Sequence, residues 1–307
     1  MTVAEPTNNL YSVSQLKLYE QCPQRYWYYY VDRLRPIHQM VESFVGARVH
    51  ESLEYLYLHL KAQELPPVSD VLRFYFRRWE QKWSNTIRIL NRKRGREWYR
   101  RYGEKCLRRC YVGHYPFREP GSHILEVEWP FQIVLDQRGQ YIMRGHVDRL
   151  NRHDDDSFTV HDYKTSPRIP AKKKLLHDLQ PGVYQLAVSK IFPEAKKVMV
   201  SWHYLATQKE IRPTLSMSQL DQLQQQLIRQ IEKIEGDSDF APQPSRACRT
   251  CEYRQVCPAR DEVDRLLLTS SPRDAYVPNG PTLLRQEACS KPSPSKQPEA
   301  AKKESSS

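Results

Sequence analysis

The sequence predicts one α/β domain, built from a mixed β-sheet with helices packed against it. Apolar side chains recur at helical spacing through most of the first 110 residues. After residue 122 the pattern changes to short extended runs separated by turn-like segments. A helical segment near 177–192 then lies between two extended runs, which is typical of a crossover between strands of one sheet.

Three helices are predicted before the extended runs begin. Ser12 or Ser14 can cap the first helix at its N-terminus, and Pro23 is expected to interrupt it. The second helix should run from about 44 to 62, and the third should begin near Asp70.

The extended runs predict the strands. "HILEVEWPFQIVLD", "QYIMRGHVDRL" and "SFTVHDYKT" come first, joined by "QRGQ" and "NRHDDD", and "KVMVSWHYLA" follows the crossover helix. A later amphipathic helix, which Gly236 can end, has its apolar side chains at Leu220, Leu223, Leu227, Ile231 and Ile234. The domain is expected to span residues 1–268. The remainder, 269–307, is rich in Ser, Pro, Lys and Glu and is expected to be a disordered tail.

Positive charge is concentrated in the folded part of the chain. The formal net charge is +12, and the expected tail holds six Lys/Arg against four Asp/Glu, so +10 remains on residues 1–268. Residues 88–109 contain ten Lys/Arg together with Trp98, Tyr99 and Tyr102. Such a segment can be a nucleic-acid surface, or a solvated helix face whose rings belong to the core. The segment by itself favours neither.

Two aspartates and a lysine are brought together by a predicted hairpin. If its loop is centred on Asp155, directly opposed residues have numbers that sum to 310, so Asp148 faces Asp162. Lys164 points to the same side of its strand as Asp162. Opposed carboxylates lie only about 5 Å apart and repel each other unless a cation separates them. Mg²⁺ and Mn²⁺ prefer such oxygen ligands, although a D-x-K triplet alone is common by chance.

Four of the seven cysteines form a second candidate site. Cys248, Cys251 and Cys257 are spaced C-x2-C-x5-C, and Cys22 lies far upstream. Thiols grouped in this way favour a metal site over disulfide bonds in a cytosolic protein. Zinc and an iron–sulfur cluster fit the spacing equally well. Either would join residue 22 to residues 248–257 and so stabilise the fold by closing nearly the whole folded chain into one loop.

Taken in chain order, these motifs resemble those of the RecB-like branch of the PD-(D/E)XK nucleases, which includes the nuclease domains of RecB and AddB and the CRISPR-adaptation exonucleases. The resemblance covers residues 12–258. The matching positions are the Cys-Pro at 22–23, Gly46 and His50, Glu128 and Phe131, Gly145, Asp148 and Arg149, Asp162 and Lys164, and Gln180 and Tyr184. The resemblance implies a restriction-endonuclease-like fold with a helical N-terminal insertion.

The resemblance also implies roles for individual residues. The catalytic residues would be Asp148, Asp162, Lys164, Gln180 and Tyr184. The ligands of Mg²⁺ or Mn²⁺ would be His50, Asp148, Asp162 and the backbone carbonyl of Tyr163. A [4Fe-4S] cluster, with zinc as the alternative, would be held by Cys22, Cys248, Cys251 and Cys257. Glu126 and Glu128 are further acids that can support the site without being first-choice ligands.

These expectations combine into a metal-dependent deoxyribonuclease that acts on single-stranded DNA from an end, in DNA repair, recombination or CRISPR adaptation. A helical insertion at about 66–115 would carry the DNA contacts. These are expected from Arg92, Lys93, Arg94, Arg96, Trp98, Tyr99, Arg100 and Arg101. The sequence has no helicase phosphate loop, so a helicase or CRISPR-adaptation proteins are the expected partners.

Other functions remain open at this level. A catalytically silent DNA-binding subunit of a larger helicase–nuclease or defence complex would keep the basic surface, and metal binding would distinguish it. An iron–sulfur redox protein would need neither the Asp–Lys array nor the positive charge. RNA is a possible substrate as well. No apolar run approaches the length of a membrane span and no secretory signal opens the sequence, so a cytoplasmic location without membrane contact is expected.

Overall fold

The computed structural model describes residues 9–117, 120–171, 175, 177–269 and 283–285. Its α-helices are α1 (Val13–Gln21), α2 (Pro23–Tyr26), α3 (Val41–Lys61), α4 (Val68–Lys82), α5 (Arg96–His114), α6 (Leu179–Ile191), α7 (Met217–Glu235) and α8 (Arg260–Thr269). Its strands are β1 (Asn9–Tyr11), β2 (Leu34–Pro36), β3 (Gln39–Met40), β4 (Ile87–Arg88), β5 (Ser122–Val134), β6 (Tyr141–His153), β7 (Ser157–Lys164), β8 (Lys197–Tyr204), β9 (Lys209–Ile211) and β10 (Leu283–Arg285).

Six strands form one mixed sheet around the long strand β6. The order is β1-β6-β7-β8-β9, and β5 also pairs with β6. The β5–β6, β6–β7 and β8–β9 pairs are antiparallel, whereas β1–β6 and β7–β8 are parallel. Helix α6 lies between the parallel neighbours β7 and β8 in the chain, so the predicted crossover is confirmed.

The pairing of β6 leaves an opening in one of its edges. β5 runs along one edge from Ile142 to His153. The other edge pairs with β1 at residues 141–143 and with β7 at residues 149–152. Between these two partners, within the described residues, positions 144–148 have no strand neighbour on that edge. Backbone groups there are free to bind side chains or a ligand.

Helices cover both faces of the sheet and create two apolar layers. Helices α1, α6 and α7 pack against the sheet in the first layer, and α3, α4 and α5 form the second. The predicted apolar stripe of α7 is buried at all its positions, and Leu227 and Ile231 are completely so. Each such side chain contributes about 1.5–3 kcal/mol on burial. The predicted fold class, a mixed sheet flanked by helices, is therefore confirmed.

The interruption predicted at Pro23 is observed as a break between α1 and α2. Ser12 caps α1, because its Oγ accepts the backbone N–H of Gln15. Cys22 is extended, and Pro23 is the first residue of α2. A proline is well suited to that position, since its missing N–H would have had no partner there. As a result, Cys22 lies between the two helices.

The β6–β7 hairpin has the predicted register. Arg149 opposes His161 in the last pair of the ladder. Asp148 and Asp162 are the next two positions in that register, as the count from Asp155 predicts. The two carboxylates therefore lie where β6 and β7 separate.

Gly145 belongs to a cross-strand pair that requires a glycine. It opposes Phe131 across β5 and β6. A Cβ at this position would come within 2.5 Å of Phe131 Cζ, and within 2.8 Å of a second ring atom. Only a residue without a side chain leaves room for the ring, which explains why these two motif positions occur together.

The predicted disordered tail lies mostly outside the described residues. Where the structure describes it, the chain is ordered: Thr269 ends α8, and Leu283–Arg285 forms β10, antiparallel to β2. An exposed strand edge readily accepts such an extended segment. Disorder of the tail stays a prediction. None of the described helices is both long enough and apolar enough to cross a membrane.

Candidate active site and cysteine cluster

Asp148 lies at the opening in the edge of β6, where its side chain takes the place of a strand partner. Its Oδ2 accepts a 2.7 Å hydrogen bond from the backbone N–H of Tyr163. Its Oδ1 lies 3.1 Å from Nδ1 of His50, which α3 presents. The carboxylate is thus held at both oxygens, by β7 and by α3, at the point where the β6–β7 ladder ends.

His50, Glu128 and Asp148 form a compact group of possible metal ligands. One ligand atom from each lies within 4.8 Å of the other two, and no other such group occurs among the described residues. Glu128 sits between the cross-strand pairs Val127–Arg149 and Trp129–Val147, and so opposes Asp148. Its φ of 50° is uncommon for a residue with a side chain. Backbone strain of this kind costs about 1–3 kcal/mol and is frequent at ligand sites.

Negative charge accumulates in this group. Burial, followed by the charge of Asp148, raises the pKa of Glu128 to about 7. Burial lowers the pKa of His50, but its hydrogen bond to Asp148 and the charges of Asp148 and Asp162 outweigh this and raise it to about 9. Both shifts indicate more anions than cations in a half-buried space. An imidazole with carboxylates suits Mn²⁺ or Mg²⁺, so the residues fit a divalent metal.

Beside this group, four side chains form a closed ring of polar contacts. Lys164 Nζ lies 2.5 Å from Asp162 Oδ2 and donates to Gln180 Oε1 at 2.9 Å. Gln180 Nε2 donates to Tyr184 Oη at 2.8 Å, and Tyr184 donates to Asp162 Oδ1 at 3.1 Å. Gln180 and Tyr184 lie one turn apart on α6, which places both toward β7. Burial raises the pKa of Asp162, while the Lys164 ammonium acts in the opposite direction.

The structure brings the predicted site residues together but changes the composition of the ligand group. His50 and Asp148 lie in it as expected. Its third member is Glu128, whereas Asp162 contacts Lys164 instead. Tyr163 reaches the site through its backbone N–H, and the ligand roles of Asp162 and of the Tyr163 carbonyl stay predictions.

The position of Glu128 could have been predicted by the same hairpin-register count that set Asp162 opposite Asp148. A β5–β6 loop centred on Arg138 makes opposed residues sum to 276, which sets Glu128 against Asp148. Glu126 does not share this position, because the same count sets it against Leu150, and its side chain pairs with Lys61 near solvent. The register of the β5–β6 hairpin is therefore the sequence signal that distinguishes Glu128 from Glu126.

A second site is a pocket lined by four cysteine thiols, which come from the first and the last motifs along the chain. They belong to Cys22, Cys248, Cys251 and Cys257, and all are free thiols. The backbone N–H of Gln243 lies 3.5 Å from Cys22 Sγ, and that of Ser245 lies 3.4 Å from Cys248 Sγ. Burial raises the pKa of the Cys251 thiol to about 12. A bound metal would supply the positive charge that keeps this sulfur a thiolate at neutral pH.

The spacing of the thiols bears on which metal they fit. Among the residues that the structure describes, no three cysteine sulfurs lie within 4.8 Å of one another. Zinc binds thiolates at about 2.3 Å, so the sulfurs of a tetrahedral zinc site lie about 3.8 Å apart. An iron–sulfur cluster places its own iron and sulfide between the cysteines and so keeps them further apart. The open spacing therefore fits the larger group better.

Protein contacts join the cysteine loop to the first helices. Arg25 forms a two-pronged ion pair with Glu252, at 3.2 Å from Nε and 2.9 Å from an outer nitrogen. Tyr28 stacks on Tyr253 with ring centres 5.1 Å apart, and its hydroxyl donates to the carbonyl of Val256 at 2.7 Å. The two cysteine-bearing segments are thus adjacent through ordinary side-chain contacts as well.

The basic segment presents one aromatic side chain to solvent. Trp98 is 38% exposed, and the Arg94 guanidinium lies 3.9 Å from the centre of its ring. Tyr99 is only 4% exposed and donates a hydrogen bond to Glu42 on α3. The phase of α5 turns this ring into the helical layer, and the predicted contact of Tyr99 with DNA stays a prediction.

The predicted DNA-binding cations lie at the surface or in surface ion pairs. Arg92 and Lys93 are exposed in the loop before α5. Arg96 pairs with Glu80, whereas Arg100 and Arg101 share Glu97. Exposed pairs of this kind contribute only about 0–1 kcal/mol, so phosphates can readily replace the carboxylates. DNA binding by these residues stays a prediction.

Comparison with known proteins places the chain in a family. The family model of the PD-(D/E)XK nuclease superfamily matches residues 11–258, a range that contains both side-chain clusters. No curated protein matches the sequence. The chain is similar in structure to SSO0001, with 17% identity over 84% of this chain and 89% of that one and a TM-score of 0.36. It is also similar to a candidate exonuclease from Eubacterium rectale, with 11% identity over 85% and 93% and a TM-score of 0.45. On the family match, the chain belongs to the PD-(D/E)XK nuclease superfamily.

Proposed function

We propose that this chain is a RecB-like, metal-dependent deoxyribonuclease that hydrolyses phosphodiester bonds from an end of single-stranded DNA. The observation that carries the proposal is the meeting of two side-chain groups where β6 and β7 separate. Asp148 lies with His50 and Glu128, and Asp162 lies with Lys164 beside them. A set of metal ligands next to a fixed lysine is what hydrolysis of a phosphodiester by an activated water requires.

The proposed ligands of Mg²⁺ or Mn²⁺ are His50, Glu128, Asp148, Asp162 and the backbone carbonyl of Tyr163. A metal ion bound there would lower the pKa of a water and polarise the phosphate. Lys164, held between Asp162 and Gln180, carries the positive charge that stabilises the negative charge developing on the phosphate oxygens. Tyr184 contacts both Asp162 and Gln180, the two side chains that hold the lysine.

The choice of single-stranded DNA is supported by the surface of α5. A base can stack on the exposed Arg94–Trp98 pair only if it is unpaired. The surrounding cations would neutralise the backbone phosphates. Digestion from an end is proposed from the RecB-like motifs of the sequence.

Digestion of single-stranded DNA labelled at either end tests the proposal. Anaerobically purified protein should shorten the DNA with Mn²⁺ or Mg²⁺, and Asp162→Asn should not. Asp221→Asn, at an exposed position of α7, is the matched control and should cut like the wild type. Wild-type protein that binds DNA and metal yet never cuts would overturn the proposal and favour a catalytically silent DNA-binding subunit.

We infer that the four thiols hold a [4Fe-4S] cluster, with zinc as the alternative. The open spacing of the sulfurs and the two N–H groups beside them support this. Such a cluster would act as a structural staple, because it links segments more than two hundred residues apart, and loops of this size cost about 4 kcal/mol or more to close. Iron and sulfide analysis of anaerobic protein tests it.

Cysteine variants separate the cluster from ordinary packing. Cys251→Ser should lose iron and unfold at a lower temperature. Cys106→Ala, a buried cysteine of α5 outside the pocket, should keep its iron. Stoichiometric zinc without iron in the wild type would contradict the cluster and support the alternative.

The partners we propose are a helicase or CRISPR-adaptation proteins, in DNA repair, recombination or CRISPR adaptation. These follow from the RecB-like motifs, and a copurification experiment with the native protein would test them. We also propose a cytoplasmic location. It is supported by the free thiols of the described residues, which fit a reducing compartment.

A further inference from the structure

Tyr102 on α5 connects the basic segment to the end of the catalytic strand. Its hydroxyl donates a 2.5 Å hydrogen bond to the backbone carbonyl of Thr165. Thr165 is the first residue after β7 and directly follows Lys164. A side chain of the insertion therefore contacts the backbone one residue away from the proposed catalytic lysine.

The same tyrosine belongs to a stack that extends to the protein surface. Its ring is stacked on that of Trp98, with centres 5.3 Å apart and planes at 10°. The Arg94 guanidinium lies over Trp98 in turn. Trp98 and Tyr102 lie one turn apart on α5 and so share one side of the helix, and Arg94 reaches Trp98 from the loop before it. The stack runs from the exposed Trp98 to the partly buried Tyr102 and ends at the strand.

Pairing with β8 fixes one edge of β7 as far as Lys164, which pairs with Tyr204. The N–H of Tyr163 donates to Asp148 instead of to a strand, and the carbonyl of Lys164 accepts from the N–H of Leu205 at 3.0 Å. Beyond Thr165, residues 166–168 are exposed. Tyr102 thus holds the backbone carbonyl of the first residue after the β7–β8 ladder ends.

We propose that Tyr102 is a positioning residue that couples the binding of an unpaired base at Trp98 to the placement of Lys164. An unpaired base that stacks on Arg94 and Trp98 limits the motion of Trp98 and of the tyrosine ring packed against it. The hydroxyl of Tyr102 then holds the Thr165 carbonyl, and Lys164 stays between Asp162 and Gln180. Base-paired DNA offers no free base face to Trp98 and does not engage the stack. The kinetic part of this inference rests on the proposed nuclease function.

Kinetics on single-stranded DNA test the coupling. Tyr102→Phe keeps the stacked ring and removes only the hydroxyl, so kcat should fall about three- to tenfold while KM is unchanged. Trp98→Ala removes the stacking surface and should raise KM by about tenfold. Tyr111→Phe is the matched control, because Tyr111 also lies on α5 and donates to a backbone carbonyl, that of Pro66, at 2.8 Å. It should leave both constants unchanged, and a wild-type kcat for Tyr102→Phe would overturn the proposal.

Hydrogen exchange without divalent metal tests the same coupling apart from cleavage. Oligothymidine binding should slow exchange of the backbone at 162–168 in the wild type and in Tyr111→Phe. Tyr102→Phe should bind the oligonucleotide equally well but lose this slowing. Equal slowing in all three proteins, or no binding to the wild type, would overturn the inference. No DNA is cut under these conditions, so a wild type that is inactive with metal refutes the nuclease proposal without deciding this result.

Discussion

Alternate side chains of β7 face two environments, and each environment treats buried polar groups differently. On one side, Asp162 and Lys164 face α6 and form a close ion pair. On the other, His161 and Tyr163 face the layer of α3 and α5. There, His161 Nδ1 lies 2.9 Å from His203 Nε2, and His203 also stacks on Tyr163. Burial and the nearby positive charge of Arg149 hold the pKa of His161 well below its ordinary value.

The contrast teaches that burial alone does not decide the charge of a side chain. Asp162 is 3% exposed and His161 is 7% exposed, so the two are almost equally withdrawn from water. Asp162 has a cation 2.5 Å away, which supports its ionised form. The neighbours of His161 are cationic or neutral, which favours the uncharged imidazole. One strand therefore supplies a charged side for chemistry and a neutral side for packing.

The largest effect should follow from removing the cation on the charged side. Lys164→Met keeps the length of the side chain but removes the ammonium that stabilises charge on the phosphate, so kcat for DNA cleavage should fall about 10²–10³-fold. Lys197→Met, at the exposed start of β8, should cleave normally. Both are measured by initial rates with Mn²⁺. Cleavage by Lys164→Met at the wild-type rate would show that the charged side of β7 is only structural.

A smaller effect is expected from acid on the neutral side. Burial, followed by the charge of His114, lowers the pKa of His203 to about 3. The unfolded chain takes up this proton near pH 6.5, so the stability from neutral His203 is complete above that pH and is lost as the pH falls toward 3. The loss should be about 2 kcal/mol between pH 7 and pH 5.

Urea unfolding at both pH values measures this loss. The double variant His161→Leu with His203→Leu replaces both hydrogen-bonded rings, so no buried ring nitrogen is left without its partner. Its free energy of unfolding should depend less on pH than that of the wild type. His123→Gln, an exposed histidine, should change nothing. If the free energy of unfolding depends on pH equally in the wild type and the double variant, protonation of these two histidines does not affect stability.

The smallest expected effect is on metal affinity, and it tests which of two neighbouring glutamates is a metal ligand. Glu128→Gln removes one carboxylate from the compact ligand group and should raise the dissociation constant for Mn²⁺ by about tenfold. Glu126→Gln, two residues away and paired with Lys61, should leave it unchanged. Calorimetric titration of both variants gives the comparison. If the two behave alike, Glu128 is not a ligand.

Contacts that follow from strand register could be predicted from the sequence, whereas contacts that depend on how the helices pack could not. Asp148 opposes Asp162 because strand register follows from the turn, and the same rule would have found Glu128. The burial of Tyr99 was left open, since nothing in α5 alone shows which of its sides meets α3. The hydrogen bond from Tyr102 to Thr165 joins residues 63 positions apart on separate elements, and no local pattern encodes it.

The contacts between the two ends of the folded chain also set an order of assembly. Tyr11 donates to Glu235, 224 residues later, and Tyr19 donates to Asp237 at 2.6 Å. During synthesis, α1 therefore leaves the ribosome long before the residues that complete its packing exist. Leu16, 1% exposed in the finished fold, stays accessible to chaperones until then. The packing of α1 is therefore completed only after residues 235–237 have been made.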